Sequence, residues 1–247
     1  MNAKNNLWSS WGRTHVGIIR KINQDAFADL PDKRLWVVAD GMGGHENGGF
    51  ASDEIIKTLK KFEPEKWIGS TIKKIYQQLK KVNYVLLEQA AMAGDNVVIG
   101  STVAILYANQ TSCVAIWSGD SRIYLFRRGE LKQITRDHNN ERRLLSEGFS
   151  PEEVKAHPYA QILTHAIGGE PEAFLDAQIQ EINQGDIFLL CSDGLNKEVA
   201  DNEIEDVLRR RSYQQAIDDL MDLALQRGGR DNITIIIVHA PKGDGSK

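Results

Sequence analysis

At 247 residues, with 41% hydrophobic and 26% charged side chains, the chain has the composition of a soluble globular protein and the length of one large domain or two small ones. Its net charge of -4 argues against a nucleic-acid or anionic-membrane partner, and no apolar run approaches the roughly 18 residues of a membrane span. Cys113 and Cys191 both lie in apolar, strand-like runs and residues 1–10 hold no leader-type apolar core, so a reducing cytoplasm is the expected location.

In chain order, strand pieces at about Leu7–His15 and Asp25–Leu30 lead into Leu35-Trp36-Val37-Val38-Ala39-Asp40, which is followed at once by Gly41-Met42-Gly43-Gly44. The apolar run reads as a buried strand, and the glycines permit a sharp turn or a close backbone approach. Asp40 therefore stands where a core strand opens into a site. Two helices follow. Ile55, Ile56, Leu59 and Phe62 mark a face of the first, and Ile72, Ile75, Tyr76, Leu79, Val82 and Leu86 mark a face of the second. Their many lysines read as a solvated surface.

Val97–Asn109 and Thr111–Ser118 read as strands joined by a tight turn, the second running into Gly119-Asp120. Arg122–Phe126 and Glu130–Thr135 form a hairpin. Residues 137–170 are polar, with two short helical patches, and interrupt the strands as a functional flap would. Strands resume at Phe174–Glu181 and Ile187–Cys191, the latter running into Ser192-Asp193-Gly194. A helix capped by Asp201 comes next, then one opened by a capping box at Ser212–Gln215 and stopped by Gly228-Gly229. Arg230-Asp231-Asn232 precedes a last strand, Ile233–Val238, and residues 241–247 form a polar tail. Strands and helices do not alternate, so the expected class is α+β, with antiparallel sheets and helices packed outside them.

Asp25, Asp40, Asp120, Asp193 and Asp231 all stand at strand edges beside turn residues. Two carboxylates about 4 Å apart repel by several kcal/mol at an effective dielectric of about 20, so convergence demands cations. Oxygen donors without a His or Cys cluster select Mg²⁺ or Mn²⁺. There is no dinucleotide fingerprint, Walker lysine, Gly-x-Ser-x-Gly elbow or His-Glu-x-x-His. No Lys or Arg partner for the aspartates stands out on a neighbouring strand. Arg20, five residues before Asp25, can grip a phosphate bidentately. Two ions beside it would suit in-line displacement, and phosphate-monoester hydrolysis is the reaction that most needs them. His15, His138, His157, His165 and His239 read as structural or solvated. Ser118 and Ser192 read as bonding their turns.

The segments "RKINQDAF", "VVADGMGGH", "GSTVA", "SGDSR", "LCSDGL" and "RDNITIIIV" together resemble, in this order, the metal-dependent serine/threonine protein phosphatases of type 2C, over about residues 13–238. The resemblance implies a β-sandwich of two antiparallel sheets flanked on both sides by helix pairs, with one catalytic domain over 1–240 and the flap at about 137–170. It implies that Asp40 bridges two metals, that the Gly41 carbonyl binds one and that Asp193 and Asp231 hold the other. Asp25 acts through bound water, Asp120 joins Asp193 at a looser third ion, and Arg20 holds the substrate phosphate. Met42 and Gln24 stand where eukaryotic relatives have His and Glu, which points to the bacterial branch and leaves His45 or a metal-bound water as the leaving-group acid. The implied function is hydrolysis of protein phosphoserine and phosphothreonine by a metal-bridging water. It needs two tight Mn²⁺ or Mg²⁺ and a third weaker ion. A monomer would oppose a serine/threonine kinase, with no nucleic-acid or membrane partner. A catalytically silent phosphoprotein-binding module and a phosphatase for small phosphomonoesters are the other readings.

Overall fold

The computed structural model describes residues 8–44 and 47–241. One sheet contains β1 (Ser9–His15), β11 (Ile233–His239), β10 (Ile187–Cys191), β7 (Arg122–Arg127) and β8 (Glu130–Gln133), in that spatial order. The other contains β2 (Asp25–Leu30), β3 (Leu35–Met42), β5 (Val103–Ala108), β6 (Ser112–Ser118) and β9 (Asp176–Glu181), with the short β4 (Gly100–Ser101) on the end of β3. The ladders are antiparallel.

Antiparallel strands usually alternate apolar and polar residues, yet β3 and β11 are apolar nearly throughout. Both faces of each are covered. In β3, Leu35, Val37 and Ala39 face the core beneath α1 (Asn47–Lys60) and α2 (Ile68–Ala93), while Trp36 and Val38 face the opposite sheet. In β11, Ile236 and Val238 point between the sheets. Ile233, Ile235 and Ile237 point toward α5 (Asp193–Asn196), α6 (Asp201–Arg210) and α7 (Tyr213–Gln226). The layers run helices, sheet, sheet, helices, as expected. Among the described residues no helix is long and apolar enough to cross a membrane.

Several boundaries differ from the sequence reading. The expected strand 97–109 is split at Thr102, whose N–H donates to the Asp40 carbonyl at 2.9 Å and whose Oγ1 accepts from the Asp40 N–H at 3.1 Å. β3 runs past Asp40 to Met42 because β4 pairs with Gly41 and Met42. A helical turn, α5, begins at Asp193 itself. Asp201 is the first residue of α6; Ala200 is its N-cap, and the Glu203 carboxylate accepts the Ala200 N–H at 3.2 Å. Ser212 does precede α7, but its hydroxyl donates to Gln215 Oε1 at 2.9 Å and not to the backbone. Phe62 lies just beyond α1, and Leu7 falls outside the described residues.

Residues 137–170 hold α3 (Glu141–Ser146) and α4 (Pro151–Ala156), joined by a small core of Leu144, Val154 and Ala160. A capping box between Ser150 and Glu153 opens α4. The Asn139–Leu163 and Ser101–Ile167 bridges tie the segment to itself and to the end of β4.

Candidate active site

The register of β2 against β3 sets Asp25 directly opposite Asp40. Gly41 allows the start of α1 to press against this strand end: its N–H donates to Gln24 O at 3.1 Å, and a Cβ there would come within 1.9 Å of Gly48 O. Asp193 arrives from the end of β10, and Asp231 stands two residues before β11. Asp120 is carried by the turn between β6 and β7, where Gly119 takes φ +103°, a backbone conformation suited to glycine. His138 braces that turn, accepting the Gly119 N–H on Nδ1 at 3.2 Å and meeting Asp176 through Nε2 at 3.2 Å.

These elements converge on a 310 Å³ cavity lined by Arg20, Asp40, Gly41, Asp120, Asp193 and Asp231, with Gln161 and Leu163 of the flap at its edge. Asp25 does not line it. Its Oδ2 is buried beneath, accepting from Ser192 Oγ and Thr234 Oγ1, each at 2.7 Å. The Ser192 hydroxyl therefore serves a carboxylate as well as accepting the Thr234 N–H at 3.0 Å. Ser118 Oγ is buried with no partner. Both serines depart from the expectation that they bond their turns: the Ser118 hydroxyl has no partner, and Ser192 joins Asp25 to β11. His45 lies outside the described residues.

Two protein cations face the carboxylates, neither from a neighbouring strand: Arg20, expected at the site, comes from the loop between β1 and β2, and Lys197, which was not anticipated, follows α5. The Arg20 guanidinium lies fork-to-fork on Asp231, with Nε to Oδ1 at 2.9 Å and a terminal nitrogen to Oδ2 at 3.0 Å. The Lys197 ammonium donates to Asp193 Oδ2. Asn232 then locks the loop carrying Arg20. Its Oδ1 accepts from Gln24 N at 2.8 Å, and its Nδ2 donates to Val16 O and Ile22 O at 2.8 and 3.0 Å. In the sequence Asn232 stands out only as part of the Arg230-Asp231-Asn232 run. An Asn between an Asp and an apolar strand was the available signal.

The electrostatics remain strained. Burial, opposed by the Thr234 and Ser192 hydrogen bonds and reinforced by Asp193 and Asp231, raises Asp25 to about 7. Burial followed by the charge of Asp193 raises Asp120 to about 7. Burial and four neighbouring carboxylates hold Asp40 well above its ordinary range. Asp193 is also raised by burial, against the pull of Lys197.

Among the described residues no three His, Cys, Asp or Glu side chains are gathered tightly enough to close around an ion unaided. The donor set nonetheless fits hard divalent cations. It is all oxygen, and Asp25 Oδ1 and Asp193 Oδ1 are buried without a hydrogen-bond partner. Each orphaned oxygen costs on the order of 1–3 kcal/mol or more, a penalty that a bound cation would remove.

Comparison with known proteins agrees in extent and detail. The sequence pattern described as "Protein phosphatase 2C" matches residues 13–234. The chain is 36% identical over 228 residues to the serine/threonine protein phosphatase PstP of Mycobacterium tuberculosis, covering 91% of this chain but 43% of that protein, so it spans less than half of that relative. It is 34% identical over 235 residues to the serine/threonine phosphatase stp of Listeria welshimeri, covering 92% of this chain and 93% of that one. Among solved structures, PppA, described as a key regulatory component of T6SS in Pseudomonas aeruginosa, superposes with a TM-score of 0.88 at 38% identity, covering 95% of this chain and 98% of that one. The catalytic domain of PstP in complex with two manganese ions superposes with a TM-score of 0.83 at 30% identity, covering 96% and 99%.

Proposed function

Because this chain belongs to the protein phosphatase 2C family, we propose that it hydrolyses phosphoserine and phosphothreonine monoesters of proteins. The observation that carries the reading is the convergence of Asp40, Asp120, Asp193 and Asp231 with Arg20 on one small polar cavity, above the buried Asp25. Asp40, the Gly41 carbonyl, Asp193 and Asp231 would hold two divalent ions, Mn²⁺ or Mg²⁺. Asp25 would act from beneath, and Asp120 with Asp193 would hold a third, weaker ion. When bound, such ions supply Lewis-acid stabilisation and a nucleophile at neutral pH.

The chain's own residues do the rest. Arg20 exchanges Asp231 for the substrate phosphate, and its present pairing keeps the guanidinium oriented for that exchange. Asn232 fixes the loop from which Arg20 reaches. His45 is the side-chain candidate for giving a proton to the leaving serine or threonine oxygen, which departs as the free hydroxyl.

Beside the cavity lies a groove of 860 Å³ between the flap and the segment from α5 to Ala200, lined by Leu145, Val154, Gln161, Val199 and Arg230 among others. Its volume, beyond the 310 Å³ of the cavity itself, leaves room for residues flanking a phosphorylated side chain and so favours a peptide over a small phosphomonoester. In the same reading the protein is a cytoplasmic monomer opposing a serine/threonine kinase. The buried, unpaired Cys113 and Cys191 support the location.

Phosphate release from phosphopeptides and from free phosphoserine, with Mn²⁺ or with excess chelator, is the test. Mn²⁺-dependent turnover favouring the peptides is expected. Undiminished turnover in chelator would overturn the reading, and equal efficiency on free phosphoserine would favour the small-molecule alternative.

A further inference from the structure

Lys197 has no part in the scheme above, yet its ammonium reaches the carboxylate ring. The four-residue spacing from Asp193 explains how. Asp193 opens the one-turn helix α5, Lys197 follows its last residue, and the Lys197 N–H donates to the Asp193 carbonyl at 2.9 Å. One helical turn thus folds the lysine back over the residue that began it, and its ammonium bonds Asp193 Oδ2.

The pair is not an ordinary surface bridge. The Asp193 side chain is 11% exposed and that of Lys197 37%. The other Asp193 oxygen is buried and unpartnered. Asp120 is the second carboxylate to feel Lys197. Burial and Asp193 push Asp120 toward its neutral form, and Lys197 opposes them. Burial works against the lysine's own charge, but Asp193, Asp120 and Asp231 more than restore it. The ammonium therefore bonds one of the two carboxylates that would share the third, looser ion, Asp193, and its charge is felt by the other, Asp120.

We propose that Lys197 is a tethered monovalent occupant of the Asp193–Asp120 cation position, and that a third divalent ion binds there only by displacing its ammonium. This rests on the binuclear reading above. It gives the weakness of the third position a cause in the chain: an incoming ion must break a partly buried ion pair before it gains two carboxylates. The two tight positions are centred on Asp40, and the one that also takes Asp193 can use Oδ1, the oxygen that Lys197 leaves free.

Equilibrium Mn²⁺ binding to the full chain, followed by calorimetry and by the electron-spin resonance of free Mn²⁺, tests the idea without using turnover. Wild type is expected to bind two ions tightly and a third weakly. Lys197→Met should keep the two and tighten the third by about tenfold or more, the scale of one charged hydrogen bond. Lys197→Gln, which keeps a donor for Asp193 but no charge, guards against misfolding of the methionine variant and should tighten it too. Lys197→Arg should stay weak, and Asp120→Asn added to Lys197→Met should abolish the gain. A third ion bound no more tightly by either uncharged variant, or bound tightly by Lys197→Arg, would overturn the proposal. Loss of the two tight ions in wild type would instead overturn the binuclear reading, and this proposal with it.

Discussion

Asp40 and Arg20 face the same cavity but are held by opposite means, and substitution should separate them. Asp40 is fixed by backbone bonds to Thr102, and the charges that weigh most on it are those of four neighbouring carboxylates. Asp40→Asn keeps the shape and removes one negative charge. Mn²⁺ affinity should fall and turnover should drop by orders of magnitude, while the metal-free protein should melt at a higher temperature because like-charge repulsion is relieved. Near-normal turnover at saturating Mn²⁺ would show that the ions are not centred here. Arg20→Ala removes a half-exposed guanidinium, so stability should barely move. Catalytic efficiency should fall by about ten- to a hundredfold, mainly through KM if the contact serves ground and transition states alike. The aspartates were legible because an acid at the end of an apolar strand has no structural motive. Lys197 was not, because a single helical turn has no apolar periodicity and the pairing appears only once α5 is known to begin at Asp193.

At the scale of elements, the segment 16–24 has little packing of its own and depends on a side chain from the other end of the sequence. Ile18, Ile19 and Ile22 are all at least 49% exposed, whereas Asn232 makes three hydrogen bonds into the segment. Asn232→Ala should lower stability to urea by about 1–3 kcal/mol, since buried backbone groups lose their partner. It should also raise KM for phosphopeptides by loosening Arg20. An unchanged KM would mean that Arg20 is placed by its pair with Asp231 and not by the loop. Helices and strands were legible where burial repeats along them, as in α2 and β11. The split at Thr102 was not, because the residues from Val97 to Ala108 give no hint that Asp40 will claim Thr102 with two hydrogen bonds.

For the whole molecule, the concentration of acids at one place sets how stability answers to pH. Asp25 and Asp120 rise from 3.8 to about 7 on folding, so between those values the folded chain binds more protons than the unfolded one. The metal-free protein should therefore lose stability as pH rises from about 4 through about 7. Mn²⁺ should raise the melting temperature more at pH 7.5 than at pH 5.5; thermal melts with and without the ion would check this, and a larger effect at the lower pH would contradict it. The layered architecture was legible as a class from the order of strands and helices. The pairing of sheets was not: Trp36 and Val38 of β3 meet Ile236 and Val238 of β11 across the sandwich, contacts that no local pattern encodes.

That seam between the sheets has a consequence for biogenesis. Asp25 and Asp40 belong to one sheet, Asp193 and Asp231 to the strand ends of the other, and Thr234 of β11 reaches across to hold Asp25 at 2.7 Å. An intermediate with both sheets formed but not yet docked would carry every one of these residues and no shared cavity. Its carboxylates would be solvated and divided into two sets, Asp25 with Asp40 on one sheet and Asp193 with Asp231 on the other, each without the ligands the other supplies. Opening of the seam between the sheets would therefore dismantle the site while leaving each sheet's own ladder intact.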